Sequence, residues 1–284
     1  MRVVFHHSDK RREIDLAHAW RRGVEAHGDE CHLRPLGIAP PPRGHFDLAC
    51  MIGVKSVDLW NSCDWADRRL MIDKGYSRHK IAGGAWEYWR ISLDAHHPTR
   101  TTLMRIAMPS QRARSFGWAN PAGWHSGKAI VLAGSSEKYH RFYGLPHPTD
   151  YARRLVAMLR DLCDRPIIYR PKPSWRDARP IDGTIYSPGK QPLGEILAGA
   201  HCLISHGSNA GVEATLTGTP TITLGDGVAA AIGATSLLQI NDLPRPDRAQ
   251  WFANLAYHQW TENEIAAGEA WAMTKRWIDA KSGI

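Results

Sequence analysis

The 284-residue sequence lacks any apolar run of the roughly 18–20 residues that a membrane-spanning helix needs. Its first residues, MRVVFHHSDKRRE, contain no apolar core of a cleavable signal, so we expect no secretion. The cysteines show no C-x-x-C spacing; they are Cys31, Cys50, Cys63, Cys163 and Cys202. Reduced, buried thiols and a cytoplasmic location are the simplest expectation.

Several functional motifs are absent as well. No G-x-x-x-x-G-K-[ST] segment is present, which argues against a P-loop nucleotidase. Histidines are numerous, but none forms H-E-x-x-H or a Cys/His zinc pattern, and no D-x-D pair occurs, so we expect no metal. The segment GDGVAA at 225–230 fits a loose dinucleotide-binding pattern, although the surrounding unit is missing. In HGSNAG, Ser208 directly follows Gly207, which excludes a nucleophile elbow.

Positive charge and tryptophan are abundant. The net charge of +8 favours anionic partners such as nucleotides, nucleic acid or an anionic membrane, or it marks an ordinary basic protein. Several of the 12 tryptophans adjoin arginines, for example Trp20, Trp89 and Trp175. Such pairs suit stacking on sugars or bases, or they simply fill cores.

Apolar runs alternate with helical patterns, which predicts a doubly wound α/β fold. One series begins with MRVVFHH, and a second begins with KAIVLAG at residue 128. We therefore predict two Rossmann-like domains, 1–125 and 126–250, followed by a strongly helical tail, 251–284.

Three predicted strands of the second half end in polar residues. Gly134-Ser135-Ser136 follow AIVLA, Arg170 and Lys172 follow PIIY, and His206-Gly207-Ser208-Asn209 follow CLIS. Ligands of open α/β sheets bind outside the carboxyl ends of strands, where a helix N-terminus also favours phosphate. A carboxylate one turn into that helix, Glu213, suits ribose hydroxyls. Together these groups indicate a nucleotide site. Alternatively, the Gly-Ser-Asn loop only caps a helix and YRPKPS is a surface turn.

The segment from YRPKPS to TPTITLG resembles the donor-nucleotide half of GT-B glycosyltransferases, and it is most similar to their capsule-polysaccharide and Kdo-transferase-like branch. The matching residues are Arg170-Pro171-Lys172-Pro173, Ser205 to Ser208, Glu213 and Gly218-Thr219-Pro220. The resemblance covers residues 127–230, and Lys172 stands where such relatives often have histidine. It implies two domains facing each other across a cleft, with a C-terminal helix that returns to the first domain. The tail aromatics would then pack at the seam.

The resemblance further implies metal-independent transfer of a sugar from a nucleotide-sugar co-substrate to a hydroxyl, without another cofactor. The expected donor ligands are Ser135, Ser136, Arg170, Lys172, His206, Gly207, Ser208, Asn209 and Glu213. The catalytic base would come from the first domain. Asp9 is the first candidate, followed by Asp73, which could instead be a cap, and His7, which could be a packed strand residue.

The acceptor stays open at this stage. A glycan and a hydroxymethylated base in DNA are both compatible with the basic, Trp-rich middle of the chain. A nucleotide-sugar epimerase of the same fold and a non-enzymatic nucleic-acid-binding protein are the competing hypotheses, because fold alone does not determine function.

Overall fold

The computed structural model describes residues 1–37, 43–77, 79–81, 84–85, 87–189 and 191–282. By its internal contacts the chain divides into two compact units, residues 1–98 with 256–284, and residues 99–255. Among the described residues, no helix combines the length and the apolar character needed to cross a bilayer.

The first unit is a six-stranded sheet with helices packed against it. Its strands are β1 (Arg2–His7), β2 (Glu30–Pro35), β3 (Phe46–Ile52), β4 (Ala66–Lys74), β5 (Tyr88–Leu93) and β11 (Gln259–Thr261). Its helices are α1 (Arg11–Glu25), α2 (Val57–Asn61), α10 (Glu262–Ala266) and α11 (Glu269–Ser282). The strand order is β11-β5-β4-β3-β1-β2, in which β2, β1, β3 and β4 run parallel while β5 and β11 are antiparallel to their neighbours.

The C-terminal segment, residues 256–284, belongs to this first unit. Strand β11 pairs with β5, with Trp260 opposite Trp89. Helix α10 approaches α1 so closely that a Cβ on Gly23 would lie 2.1 Å from the Ile265 carbonyl oxygen. The Trp271 ring contacts Trp20 edge-on at 6.0 Å. These tail aromatics are buried by packing within the first unit.

The second unit is built on a five-stranded parallel sheet. Its strands are β6 (Ala129–Ala133), β7 (Ile167–Arg170), β8 (Ile185–Tyr186), β9 (Ala200–Ser205) and β10 (Thr221–Thr223). Its helices are α3 (Arg100–Met104), α4 (Gln111–Ser115), α5 (Glu137–Phe142), α6 (Pro148–Leu162), α7 (Leu193–Leu197), α8 (Ala210–Leu216) and α9 (Ala249–Ala256). The order β10-β9-β6-β7-β8 places β6 at the centre.

Residues 99–125, which the sequence analysis placed in the first domain, make their contacts within the second unit. The buried side chain of Asn254 in α9 makes two hydrogen bonds to this segment. Its side-chain oxygen accepts from the Met108 amide at 2.9 Å, and its side-chain nitrogen donates to the Leu103 carbonyl at 2.9 Å. Arg248 adds two short hydrogen bonds at 2.6 Å, to the carbonyls of Ala122 and Thr215. These hydrogen bonds from Arg248 and Asn254 attach residues 99–125 to the second unit.

Candidate functional site

The second sheet has a topological switch point beside its central strand. Strand β6 lies between β7 and β9, so the chain leaves β6 toward one side of the sheet and later returns on the other. In open α/β sheets the loops diverge at such a point and form a ligand crevice. Because the three strands are parallel, the polar loops that follow them lie at the same edge of the sheet.

The loops after β6 and β7 approach each other at Gly134. A Cβ at this position would lie 3.2 Å from both the Pro171 Cα and the Tyr169 hydroxyl, which explains the small residue. Ser135 is buried, and Ser136 occupies the N-cap position of α5. Since α5 has only six residues, the serines and their backbone, rather than a helix dipole, are what this loop offers to a ligand.

The two cations at the end of β7, Arg170 within the strand and Lys172 after it, differ in their surroundings. Arg170 is buried and donates to the Ser187 hydroxyl at 3.1 Å and the Gln191 carbonyl at 2.7 Å, so its guanidinium holds Ser187 and Gln191. Lys172 is exposed. Of the two cations, Lys172 is therefore the better placed to meet a soluble anion.

His206 begins the loop after β9 and is held by aromatic residues. Its Nδ1 lies 2.8 Å from the Tyr151 hydroxyl, and the rings of Tyr139 and Tyr143 lie 6.2 and 5.6 Å away. Burial lowers the pKa of His206, His140 lowers it further, and Asp226 opposes this shift. The imidazole is therefore neutral at pH 7 and does not add a cation to the site.

Glycines let the β10 loop pack directly against the β9 loop. A Cβ on Gly207 would lie 2.0 Å from the Asp226 carbonyl oxygen, and one on Gly225 would lie 2.2 Å from the His206 Nε2. The residues after Gly227 form a short 3-10 helix, Val228–Ala231. GDGVAA therefore serves this close packing and does not open the α-helix of a dinucleotide-binding unit.

Ser208, Asn209 and Glu213 lie at the start of α8. The Ser208 hydroxyl accepts a hydrogen bond from the Ala210 amide at 3.2 Å, and Asn209 occupies the N-cap position. Glu213 is half-buried in the first turn. Because α8 spans seven residues, it aligns few peptide dipoles, and its N-terminus contributes less than the sequence suggested.

A small cavity lies beneath these loops. Ser135, His206, Tyr151 and Tyr169 supply polar groups to its wall. The Tyr169 hydroxyl is buried and has no hydrogen-bond partner among the described residues. Burial, reinforced by Tyr186, raises the pKa of Tyr169 to about 12, so the hydroxyl is a neutral donor. The sequence analysis missed this residue because a tyrosine within an apolar strand is expected to be part of the core, and Tyr169 does belong to the buried core of this unit.

In the first unit, His7 and Asp9 flank the turn after β1. The half-buried His7 has its Nδ1 2.8 Å from the Ser8 carbonyl oxygen. Since a carbonyl only accepts, the neutral imidazole carries its proton on Nδ1 and its lone pair on Nε2. Asp9 is exposed to solvent.

Asp73 lies at the end of β4 within a cluster of basic groups that the sequence analysis did not assemble. Its carboxylate is 3.3 Å from the Arg90 guanidinium and 3.3 Å from the His96 Nε2. Arg90 also lies 3.3 Å from His97, which lies 3.1 Å from the Tyr76 hydroxyl. Burial alone would raise the pKa of Asp73, but Arg90 and His96 outweigh it and hold the pKa well below its ordinary value.

No protein-family model and no curated protein sequence matches this chain. Among solved structures, the chain is similar to the β-Kdo 2,7 transferase of KpsC from Thermosulfurimonas dismutans, at 12% identity and a TM-score of 0.57 over 95% of this chain and 99% of that one. It is also similar to the β-Kdo 2,4 transferase of the same KpsC, at 11% identity and a TM-score of 0.56 over 90% and 91%. At these identities the likeness defines the fold. The chain has the α/β architecture of the GT-B type, with two Rossmann-like units, as predicted.

Proposed function

We propose that this protein is a glycosyltransferase that moves a sugar from a nucleotide-linked donor to a hydroxyl group of an acceptor. The observation that supports this most is the convergence of three polar loops, after β6, β7 and β9, at the switch point of the second sheet. The two similar structures of the same fold are named Kdo transferases, which makes Kdo the first sugar to test.

The donor phosphates would lie against the exposed Lys172 and the loops of Ser135, Ser136, Ser208 and Asn209. Gly207 would support this loop through its close packing against the Asp226 carbonyl oxygen. Glu213 would accept hydrogen bonds from the ribose, and Arg170 would support the site by holding Ser187 and Gln191. Fixed donors aimed at the leaving phosphate stabilise the charge that develops as the sugar departs. His206 would contribute hydrogen bonding rather than charge.

The catalytic base in this proposal is His7, not Asp9. A base must be unprotonated but able to hold a proton near neutral pH, which suits an imidazole better than an exposed carboxylate. The Nδ1 proton that bonds to Ser8 leaves Nε2 as the accepting atom. Asp73 is the weakest candidate, because the low pKa that Arg90 and His96 impose makes it a poor proton acceptor.

The acceptor would be either a glycan or a hydroxymethylated base in DNA. The net charge of +8 is compatible with an acidic glycan and with DNA. Incubation with radiolabelled donor, first with oligosaccharide acceptors and then with hydroxymethylated DNA, separates the two. Consumption of the donor without any labelled acceptor would instead support an epimerase.

Donor binding is tested by thermal shift with nucleoside monophosphates, nucleoside diphosphates and their sugar conjugates. A ligand at about 100 times its Kd adds roughly 2.7 kcal/mol of stability, a readily measured rise in Tm. We expect the rise to be lost in Lys172→Ala and Glu213→Gln. Lys128→Ala is the matched control, because Lys128 is exposed but precedes β6 and so lies at the opposite edge of the sheet. The absence of a rise with every ligand would refute the proposed donor site.

A further inference from the structure

One buried carboxylate, Glu13, ties together the loops at the carboxyl edge of the first sheet. Glu13 lies in the first turn of α1 and is only 9% exposed. The Lys55 ammonium donates to its Oε1 at 2.6 Å. The Ser8 hydroxyl donates to its Oε2 at 2.6 Å, and the Ser8 amide donates to the same oxygen at 3.2 Å. The carboxylate therefore holds Ser8 at two points.

These contacts join two neighbouring strands. Ser8 follows β1, and Lys55 follows β3, which pairs with β1 in parallel register, Phe5 opposite Cys50. Carboxyl ends of parallel neighbours lie at one edge, where ligands of open sheets bind. The Glu13–Lys55 pair therefore connects the turn after β1 to the segment after β3, at the edge of the sheet where His7 lies.

The charge of Glu13 is secured by its partners. Burial would raise its pKa, but the hydrogen bonds from Lys55 and Ser8 outweigh burial, and the pKa is lowered. Glu13 is therefore an anion at neutral pH, and both of its Ser8 contacts have a defined direction, from Ser8 to the carboxylate.

Ser8 passes this constraint to His7. Its amide and hydroxyl are bound by Glu13, and its carbonyl accepts from the His7 Nδ1 at 2.8 Å. The Ser8 hydroxyl also accepts from the Lys10 amide at 3.4 Å, so the chain is held on both sides of the Ser8 carbonyl and the orientation of that carbonyl is restricted. That carbonyl selects the Nδ1-protonated form of the imidazole and leaves Nε2 as the basic atom.

We propose that Glu13 and Lys55 are positioning residues, which fix the Ser8 peptide and thereby keep His7 in the tautomer whose Nε2 accepts the proton of the acceptor hydroxyl. The catalytic part of this inference rests on the proposed function. The structural part, control of the His7 tautomer, does not depend on it.

The test is long-range ¹H–¹⁵N NMR of the histidine rings in the full chain at pH 8, where an ordinary imidazole is neutral. The His7 signal is assigned from its loss in His7→Asn. We expect wild-type His7 to be Nδ1-protonated. In Glu13→Gln and Lys55→Met the signal should move toward the mixed shifts of an unconstrained imidazole. Glu25→Gln is the matched control, because Glu25 is exposed at the other end of α1.

Circular dichroism and Tm establish that each variant is folded. If Glu13→Gln does not fold, Ser8→Ala and Lys55→Met carry the test; Ser8→Ala removes the hydroxyl contacts with Glu13 and the Lys10 amide but keeps the Ser8 amide contact with Glu13. An Nε2-protonated wild-type His7, or an unchanged tautomer in the folded variants, would overturn the inference.

Kinetics with the donor identified by thermal shift separate this inference from the proposed function. We expect kcat to fall on the order of 10²-fold in Glu13→Gln with an unchanged KM for the donor, because the base is misplaced while donor binding is not. A loss of donor affinity without loss of kcat would contradict a positioning role. If the tautomer shifts as expected but wild-type protein transfers no sugar, the proposed function fails, and the catalytic part of this inference fails with it.

Discussion

The Arg90 guanidinium lies 3.3 Å from the Asp73 carboxylate, across the antiparallel pair of β4 and β5 in which the two residues are directly opposite. Arg90 is buried, whereas the Asp73 side chain is 30% exposed. Asp73→Asn would leave a buried cation without this counter-charge. We expect the unfolding free energy to drop by about 3 kcal/mol, as in other buried pairs that lose one partner. Urea unfolding measures this change.

Asp67→Asn is the control for that variant, since Asp67 lies on the same strand but is 57% exposed beside His45. It should change the unfolding free energy by less than about 0.5 kcal/mol. Equal effects of the two substitutions would show that the ion pair between Arg90 and Asp73 makes no specific contribution to the free energy of unfolding. Because the folded-state pKa of Asp73 is lowered, its contribution is present at neutral pH and is lost as the pH falls below the ordinary range of aspartate.

We predict that the free energy of unfolding decreases in mild acid, because two histidines are buried. His258 stacks on Trp277 at 4.2 Å, and burial lowers its pKa to about 4 against a small opposing effect of the Ile91 carbonyl. Burial, with Arg34 and His7, lowers the pKa of His6 to about 4. Between the ordinary histidine pKa near 6.5 and about 4, only the unfolded chain takes up these protons. Stability therefore falls as the pH falls through this window, by about 3 kcal/mol for each group.

Urea unfolding at several pH values between 7 and 4 checks this expectation. In His6→Leu, the slope of unfolding free energy against pH should decrease by the contribution of one proton. A wild-type protein whose stability is flat across this range would contradict the burial of neutral imidazoles.

Much of the second unit was predictable because its strands and helices have recognisable local sequence patterns. The apolar runs AIVLA and HCLIS became β6 and β9, and TDYARRLVAMLRDLC became α6. The start of α6 was less predictable, because its N-cap is His147, whose ring accepts from the Thr149 amide at 3.4 Å, and not one of the usual Ser, Thr, Asp or Asn residues. The predicted loop residues share one edge of the sheet because parallel strands leave no other arrangement.

The first unit was harder to predict because its important contacts are non-local. Strand β11 has three residues in a tail with a helical pattern, and pairing with β5 rather than its own sequence makes it a strand. Arg90 lies in the basic, Trp-rich middle of the chain and meets Asp73 through the antiparallel register of β4 and β5. Glu13 appears in the sequence as one helix residue among others, and only the fold brings Lys55 to it. Neither partnership has a sequence motif.

Arg248 should be a stability determinant of the second unit. Its buried guanidinium donates to two carbonyls at 2.6 Å and lies 3.9 Å from the centre of the Trp124 ring. Arg248→Met would leave both carbonyls without these bonds, at a cost of about 2–3 kcal/mol. Arg245→Met is the control, because Arg245 is exposed in the same connection. A Tm that falls no further for Arg248→Met than for the control would exclude this role.

Gly207 tests whether the close packing of the β9 and β10 loops shapes the candidate donor site. An added Cβ would lie 2.0 Å from the Asp226 carbonyl oxygen and 2.6 Å from the Tyr139 hydroxyl, so the loop backbone must move. Gly207→Ala should therefore cost about 1–3 kcal/mol and displace His206 and Ser208. Gly194→Ala, where the new Cβ meets nothing within 4 Å in α7, should instead be neutral or slightly stabilising.

Isothermal titration with the nucleotide identified by thermal shift measures the consequence for binding. If the β9 loop holds the donor, the affinity for this nucleotide should fall in Gly207→Ala protein that is folded, and it should be unchanged in Gly194→Ala. Retained affinity in both variants would move the donor away from this loop and toward the serines after β6.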